Sequence, residues 1–254
     1  MKTKIAICIP MKSQSDWTQL SDCYLLKTFL PSFIRTCERD KFDYTFYLGY
    51  DDNDSFFEQN HDQLKKRFNK TDKLYCKSDF KGDPCSYWNF LFKQAVKDGN
   101  EYLVQYGDDI SIISHTWTSY FVSILKEHNN FGVAGGCDIG YWINRLENGS
   151  IGILENIFFH KSHFDYFDRV FDKRLKTWYS DDYISNLYNN YTYCCPNIRY
   201  INTNRVGEDN PMSRYTPDMK DRDLWQSFIK DTYKTIKNKD KLPKDFLDYI
   251  DSSL

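Results

Sequence analysis

Three pairs of neighbouring aspartates are the residues of this chain best suited to chemistry. They are Asp51-Asp52, Asp108-Asp109 and Asp181-Asp182. Adjacent carboxylates offer hard oxygen ligands to a divalent cation such as Mg²⁺ or Mn²⁺, which in turn can hold a diphosphate. A carboxylate can also act as a general base. Each pair has a plain structural alternative, namely a solvated loop, a turn after a strand, or the start of a helix.

The central pair follows a stretch that predicts a buried strand. Tyr102 to Tyr106 is a mainly apolar run, typical of the interior of a parallel sheet, and Gly107 ends it. Open α/β sheets bind their ligands at the carboxyl ends of their strands. We therefore expect Asp108 and Asp109 to lie at the ligand-binding edge of a sheet.

The order of elements predicts the fold that positions these pairs. Strands are expected over 4–10, 42–50, 73–76 and 102–106, and helices over 20–37, 61–68 and 84–97 alternate with them. Such alternation gives an α/β fold with a mostly parallel central sheet flanked by helices. The further elements are a helix over 116–128 capped by Ser114 or Thr116, strands over 131–134, 151–159 and 198–203, and helices over 163–171, 223–236 and 244–250. Residues 176–183 lead into one more helix, which runs to about Tyr188. We expect one α/β domain over 1–220, with a helical C-terminal extension over 221–254 packed on it.

Composition excludes several classes of protein. The 254 residues carry a net charge of −2, so no general basic field would attract nucleic acid or anionic lipid. The apolar run after Met1 is too short for a signal peptide or a membrane span, which indicates a cytoplasmic protein. None of the eight cysteines has Cys-x-x-Cys spacing, and we interpret them as reduced thiols.

An ordered set of motifs over residues 4–216 resembles a known family. The motifs are Ile5 to Pro10, the acidic loop from Asp51, the helix bearing Asn89, Tyr102 to Ile110, and Trp178-Tyr-Ser-Asp-Asp182. Together they look like the GT-A class of nucleotide-sugar glycosyltransferases, and most closely its family 2-like branch. The resemblance implies a GT-A fold, transfer of a hexose from a nucleotide-diphosphate sugar, with UDP expected, to a hydroxyl of a glycan or protein, and dependence on Mn²⁺ or Mg²⁺.

The resemblance also implies residues that bind the donor. Backbone after the first strand would face the nucleoside, an acid after the second would bind uracil or ribose, and an amide on the third helix would lie near the base. Carboxylates after the fourth strand would hold the metal, and two arginines would close over the diphosphate. The backbone positions are Pro10 and Met11, and the acid is Asp51 or Asp52. The amide is Asn89, the carboxylates are Asp108 and Asp109, and the arginines are Arg205 and Arg214. The structural alternatives are a strand terminator for Pro10 and Met11, a solvated loop for Asp51 and Asp52, a helix surface or core position for Asn89, an acidic turn for Asp108 and Asp109, and surface charge for Arg205 and Arg214.

The sequence departs from the family pattern at the metal site. Gly107 stands where an Asp-x-Asp motif would have its first aspartate, and no histidine follows His163 to supply a further ligand. A glycine side chain cannot coordinate a metal. Asp109 is therefore the expected ligand, with Asp108 assisting it.

Asp182 is the expected catalytic base, because it matches the second acid of the family's Glu-Asp pair. It would take the acceptor proton in a direct displacement, which inverts the anomeric carbon. If Asp182 is only a helix cap, a retaining mechanism stays open. Asp181 would raise the pKa of Asp182 through like-charge repulsion or hold the acceptor. Trp178 and Tyr179 would stack on a sugar or pack in the core. Residues 135–138 and Trp142 would face the acceptor, since small residues let a ligand approach the backbone.

Two other functions fit parts of the pattern. A nucleotidyltransferase also uses a parallel sheet and paired carboxylates, but it would need a Gly-rich basic loop after the first strand, and Met11-Lys-Ser-Gln-Ser is not one. A degenerate GT-A domain that only binds sugar or protein would account for Gly107 and for the missing histidine.

Overall fold

A mixed sheet of eight strands forms the centre of the molecule. The computed structural model describes residues 1–140, 153–203 and 219–254. The strands are β1 Thr3–Met11, β2 Phe42–Asp51, β3 Lys73–Lys77, β4 Tyr102–Gln105, β5 Ile110–Ile112, β6 Val133–Asp138, β7 Phe158–His160 and β8 Thr192–Asn202. The helices are α1 Leu30–Thr36, α2 Ser55–Lys65, α3 Pro84–Lys97, α4 Trp117–Glu127, α5 His163–Tyr166, α6 Ser180–Tyr188, α7 Met219–Lys234 and α8 Lys244–Ser253.

The strand order is β3-β2-β1-β4-β7-β6-β8-β5. Strands β1 to β4 are mutually parallel, as the alternating helices predict. β7 is antiparallel to both β4 and β6, and β6 is parallel to β8. The carboxyl ends of β1 to β4, β6 and β8 consequently share one edge of the sheet, which we call the carboxyl edge.

Burial of β1 on both faces explains its central place. Ile5 to Ile9 have no exposed surface, and alternate residues belong to two separate hydrophobic clusters. One cluster packs under α1 and α4 and the other under α3, α6 and α7. An unbroken apolar strand is what a sheet covered on both faces requires.

The predicted helix over 20–37 is divided, as a proline within it suggests. A 3₁₀ turn covers Leu20–Asp22, a π-helical turn covers Leu25–Phe29, and α1 follows. The Leu30 N–H reaches back five residues to the Leu25 carbonyl. Pro31 has no N–H and its ring displaces the preceding turn, so the wider turn precedes it.

Capping residues set the starts of the helices. Asp83 and Ser86 are the two residues whose types predict a cap for α3, and Asp83 is confirmed because it accepts a hydrogen bond from the Ser86 N–H at 2.9 Å. Asp54 accepts from the Phe57 N–H and starts α2 at Ser55, so the start predicted at His61 is wrong. The side-chain cap predicted for α4 is also wrong: the Thr116 hydroxyl donates to the His115 carbonyl.

A distant carboxylate caps α4 instead. Glu38 accepts from the Ser119 N–H at 2.9 Å and from the Ser119 hydroxyl at 2.6 Å. Ser119 is the third residue of α4, whose first N–H groups have no partner within the helix. The end of α1 is thereby tied to the start of α4.

Two predicted elements are much shorter than expected. The strand expected over 151–159 covers only Phe158–His160 among its described residues, because the Leu154 N–H bonds the Ser185 hydroxyl rather than a strand. The helix expected over 163–171 is the single turn α5. It stops because Phe167 has an extended backbone, with a φ of −121° and a ψ of 140°. Further along, the Asn89 side chain accepts hydrogen bonds from the N–H groups of Val170 and Phe171.

The C-terminal helices complete one of the two hydrophobic clusters. Tyr233 of α7 and Phe246 and Ile250 of α8 are buried in the cluster that also contains Tyr188 of α6. The domain boundary predicted between residues 220 and 221 falls inside α7 and stays a prediction.

Candidate active site

The carboxyl edge collects acidic residues from three strands. Asp51 ends β2, Asp108 and Asp109 come three and four residues after the end of β4, and Asp138 ends β6. Asp108 and Asp138 are completely buried and Asp109 nearly so. The sequence analysis placed the first two groups at this edge but assigned Asp138 no role of its own.

Gly107 makes room for the Asp109 carboxylate. A Cβ atom at position 107 would lie 2.5 Å from Asp109 Oδ1. The side chain of Asp109 therefore folds back over the position that the first aspartate of an Asp-x-Asp motif would need. Gly107, where the sequence departs from the Asp-x-Asp pattern, thus leaves the space that the Asp109 carboxylate occupies.

β8 holds the backbone of Asp109 in place. The Asp109 carbonyl accepts hydrogen bonds from the Thr203 N–H at 3.1 Å and from its hydroxyl at 2.9 Å. The next residues form β5, which pairs with the end of β8. The predicted turn after β4 is thus a short connection into a further strand, one that the sequence analysis missed.

The loops after β1 and β2 are tied together at this edge. Asp54 Oδ2 accepts from the Ser13 N–H at 2.8 Å. Asp51 Oδ2 accepts from the Gly82 N–H at 3.0 Å, and burial raises the pKa of Asp51 above its ordinary value although that hydrogen bond opposes the shift. Asp52 is exposed. Of the two aspartates expected at the nucleoside, Asp51 is the one that is fixed in position.

The start of α3 links this loop to the segment before α6. Gly82, bound to Asp51, immediately precedes the Asp83 cap. Two residues later, the Cys85 N–H donates to the Lys176 carbonyl at 3.1 Å. The segment that leads to Asp181 and Asp182 is therefore anchored beside the carboxyl edge.

Asp181 and Asp182 lie in the first turn of α6. Tyr179, just before the helix, has a φ of 64°, a left-handed conformation that is uncommon for a tyrosine. The Asp181 carboxylate accepts from the Asp182 N–H at 3.1 Å, so the alternative of helix-end stabilisation applies in part to Asp181. Both aspartates are half-buried.

The helix that carries these aspartates is linked to the end of β4 through one short segment. Ser185 follows them by four and three positions, which places all three side chains on one face. The Ser185 hydroxyl accepts from the Leu154 N–H at 2.8 Å. Residues 154–157 then run beside β4, where the Gln105 N–H donates to the Ile157 carbonyl at 2.9 Å. The first turn of α6 and the end of β4 thus flank the same short segment.

Asn89 has a structural role in the chain. Its Oδ1 accepts from the N–H groups of Val170 and Phe171, and its Nδ2 donates to the Phe171 carbonyl at 2.8 Å. This matches the core alternative of the sequence analysis, and proximity to a base stays a prediction. Pro10 and Met11 end β1 beside Gly49 and Tyr50 of β2, with Met11 buried.

The space beside the glycines of β6 is occupied by the chain itself. The expectation that these small residues let a ligand approach the backbone is therefore corrected. A Cβ atom on Gly135 would lie 2.5 Å from the Asn156 carbonyl oxygen, and one on Gly136 equally close to the Ile198 carbonyl oxygen. These residues admit neighbouring backbone rather than a ligand. Arg205, Arg214 and Trp142 lie outside the described residues.

The donor set suits a metal that is shared with a ligand. Within residues 1–140, 153–203 and 219–254 there is no group of three or more His, Cys, Asp or Glu side chains arranged to hold an ion. Mg²⁺ commonly takes only one or two protein carboxylates and completes its shell with phosphate oxygens and water. Asp108 and Asp109 fit that mode of binding.

A cavity of about 590 Å³ lies at the opposite edge of the sheet. Its lining includes Lys4, Asp43, Lys73 and Asn100, near the amino ends of β1 to β4. None of the aspartate pairs lines it. We therefore place the candidate active site at the carboxyl edge, where the acidic residues are.

Comparisons with known proteins were made for both sequence and structure. No protein-family model matches the sequence, and no curated protein matches it. S. aureus TarS 1-349 in complex with UDP is similar at a TM-score of 0.57 and 15% identity, over 98% of this chain and 69% of that chain. The structure of S. aureus TarS 1-349 without a named ligand is similar at a TM-score of 0.57 and 16% identity, over 99% of this chain and 70% of that chain. A weaker likeness, with a TM-score of 0.48 and 14% identity over 90% and 99%, is to a putative nucleotide-diphospho-sugar transferase from Desulfovibrio desulfuricans G20.

The fold expectation is confirmed. An eight-stranded α/β sheet flanked by helices, superposable on TarS over nearly the whole chain, is the GT-A type of nucleotide-sugar transferase fold. Membership of the family 2-like branch stays a prediction. No helix in the described part of the chain is long and apolar enough to cross a bilayer.

Proposed function

We propose that this chain is a glycosyltransferase that moves a sugar from a nucleotide-diphosphate sugar to an acceptor hydroxyl. The observation that carries the proposal is the arrangement of aspartates at one edge of a GT-A sheet. Asp51 ends β2, Asp108 and Asp109 follow β4, and the first turn of α6 contributes Asp181 and Asp182. A fold in itself hosts many functions, so the function depends on these side chains.

UDP is the proposed donor nucleotide. A structural neighbour, TarS, was solved in complex with UDP. In this chain the Asp51 carboxylate is fixed at the end of β2 and would accept a hydrogen bond from uracil or ribose. Backbone at Pro10 and Met11 would line the nucleoside, and Arg205 and Arg214 would contact the diphosphate.

Asp182 is the proposed general base of the transfer step. Its carboxylate takes the proton of the acceptor hydroxyl while that oxygen bonds to the anomeric carbon. The bond from that carbon to the diphosphate oxygen breaks, and its electron pair leaves on the diphosphate. One face is attacked as the other is vacated, so the anomeric configuration inverts. Mg²⁺ or Mn²⁺ bound at Asp109, with Asp108, would stabilise the charge on the leaving diphosphate.

A UDP-release assay with Mn²⁺ and a panel of UDP-sugars tests the proposal. Wild-type protein should release UDP from one sugar donor. Asp182→Asn should lower that rate on the order of 100-fold or more, because general-base catalysis has that weight, while UDP affinity stays unchanged. Asp109→Asn should weaken UDP binding in Mn²⁺, and Asp181→Asn should have a smaller effect on the rate than Asp182→Asn. Absence of both UDP binding and UDP release would refute the proposal.

A non-catalytic GT-A module is the second candidate. Two features of the sequence favour it: Gly107 in place of an acid, and the lack of a histidine after His163. The same assay separates the two functions. A module of this kind would bind UDP or a UDP-sugar but release no UDP from any donor in the panel.

A further inference from the structure

One tryptophan next to the proposed base is exposed, although its residue type favours burial. Trp178 is 38% exposed, whereas Trp17 and Trp117 are 8% and 0% exposed. Trp88 and Trp225 are half-buried. Trp178 is thus the most exposed of the described tryptophans, and a large aromatic surface left in water is a common sign of a binding site.

The backbone on both sides of Trp178 is firmly held. The Lys176 carbonyl accepts from the Cys85 N–H at 3.1 Å, and the Thr177 carbonyl accepts from the Ser180 hydroxyl at 3.1 Å. Tyr179 is fixed in a left-handed conformation directly before α6. The indole is therefore presented from a fixed segment, three residues before Asp181 and four before Asp182.

An exposed aromatic ring beside a general base suits one class of acceptor in particular. A pyranose ring has an apolar face of C–H groups that packs on an aromatic plane, while its hydroxyls stay in water or reach polar side chains. An open-chain polyol or a peptide serine offers no such flat face. Asp181, which is half-buried and three residues further along the chain, would bind a hydroxyl of a sugar stacked there.

We infer that Trp178 is the platform on which the acceptor stacks, and that the acceptor is a glycan with a pyranose at the site of transfer. This inference rests on the proposed function. The proposed function requires only an acceptor hydroxyl, on a glycan or on a protein, and Trp178 selects the glycan. Trp178 acts as a specificity residue: it orients the ring so that one hydroxyl meets Asp182.

Binding to an array of pyranosidic oligosaccharides, with UDP and Mn²⁺ present, tests this inference. Wild-type protein should bind at least one glycan. Trp178→Ala should weaken that binding about 10-fold or more, the size expected for one lost aromatic stacking contact. Trp178→Tyr should restore most of it. UDP affinity and melting temperature should be equal in all three proteins, which excludes misfolding as the cause.

A second readout uses the indole itself. The bound glycan should change the tryptophan fluorescence of the wild type but not that of Trp178→Phe, and D-sorbitol should change neither. Glycan binding retained by Trp178→Ala would overturn the inference, as would UDP binding by a wild type that binds no glycan on the array. Failure to bind UDP at all would instead count against the proposed function.

Discussion

At the scale of single residues, the site is shaped by what surrounds each carboxylate rather than by the acidic motif alone. Gly107 is the clearest case, because the absence of a side chain there lets Asp109 fold back over the end of β4. Asp51 and Asp52 are neighbours in sequence, yet only Asp51 is held by the start of α3. Sequence alone could not distinguish them, because the partner Gly82 is contributed by a distant turn.

The placement of Asp109 can be tested with Gly107→Ala. The new methyl group would lie 2.5 Å from Asp109 Oδ1, so the carboxylate must rotate away. We expect Mn²⁺-dependent UDP affinity to fall on the order of 10-fold, as when the support of a metal ligand is lost. Calorimetric titration measures it. Gly140→Ala is the matched control, because its Cβ would meet Asp138 Oδ1 at an ordinary 3.4 Å. Equal loss in both variants would contradict the placement.

A buried histidine predicts how stability depends on pH. Burial lowers the pKa of His163 to about 4, although its hydrogen bond to the Arg169 carbonyl opposes the shift. Nε2 lies 3.0 Å from that carbonyl and Nδ1 lies 2.7 Å from the Tyr188 hydroxyl, as suits a neutral ring that donates from Nε2 and accepts at Nδ1. Because the unfolded chain takes up a proton near pH 6.5 and the folded chain does not, stability falls between pH 6.5 and 4.

Urea unfolding at pH 7 and pH 5 measures this effect. His163 should contribute about 2 kcal/mol to the loss of stability between pH 7 and pH 5. This loss arises over the roughly 1.5 pH units between the unfolded pKa of about 6.5 and pH 5, at about 1.4 kcal/mol per unit. In His163→Gln the loss should be smaller by that amount, whatever the stability at pH 7. An identical pH dependence in His163→Gln and wild type would refute the assignment.

At the scale of elements, helix starts position the site. Asp83 starts α3 beside Asp51, and α6 starts with the two aspartates of the proposed catalytic turn. The sequence predicted the cap of α3 because Asp, Pro and Ser occur there in the usual order. It could not predict the cap of α4, because Glu38 belongs to another element.

Removal of that distant cap should destabilise the protein without affecting the site. Glu38→Ala leaves the Ser119 N–H without an acceptor, at a cost of about 1–3 kcal/mol. Burial works to raise the pKa of Glu38, but the hydrogen bonds from Ser119 and Lys41 outweigh it and lower that pKa. The contribution is therefore complete above the unfolded pKa and is lost as the pH falls through the lower folded value. Chemical denaturation at pH 7 measures the cost.

The exposed partner of Glu38 provides the control. Lys41 lies 2.9 Å from Glu38 but is about half exposed, so Lys41→Ala should cost much less. UDP affinity should be unchanged in both variants. A loss of stability for Lys41→Ala as large as for Glu38→Ala would show that the ion pair, and not the cap, is the source.

At the scale of the whole molecule, the parallel half of the sheet follows from sequence and the other half does not. β1 to β4 alternate with helices along the chain, so their parallel arrangement could be predicted. β5 has only three residues, and β7 is the last part of a longer apolar stretch. Both are defined by contacts with distant strands and helices, and residues 154–157 leave the ladder to contact α6 and β4.

The C-terminal helices should matter to the fold as a whole. Phe246 of α8 is buried against Phe131, Tyr191 and Tyr233. Phe246→Ala should lower the free energy of unfolding by about 3–5 kcal/mol, the usual cost of a cavity of that size. Urea denaturation measures it, and Leu254→Ala, at a 53% exposed position, is the control. A cost below about 1 kcal/mol would mean that the extension is not part of the core.

A crystal structure of the protein with UDP and Mn²⁺ tests the central claim most directly. The account predicts the nucleoside beside Asp51, the diphosphate against Asp109 and Asp108 with the metal between them, and an open path from the diphosphate to Asp182. UDP bound in the cavity at the amino ends of the strands, or a diphosphate out of reach of Asp109, would contradict it.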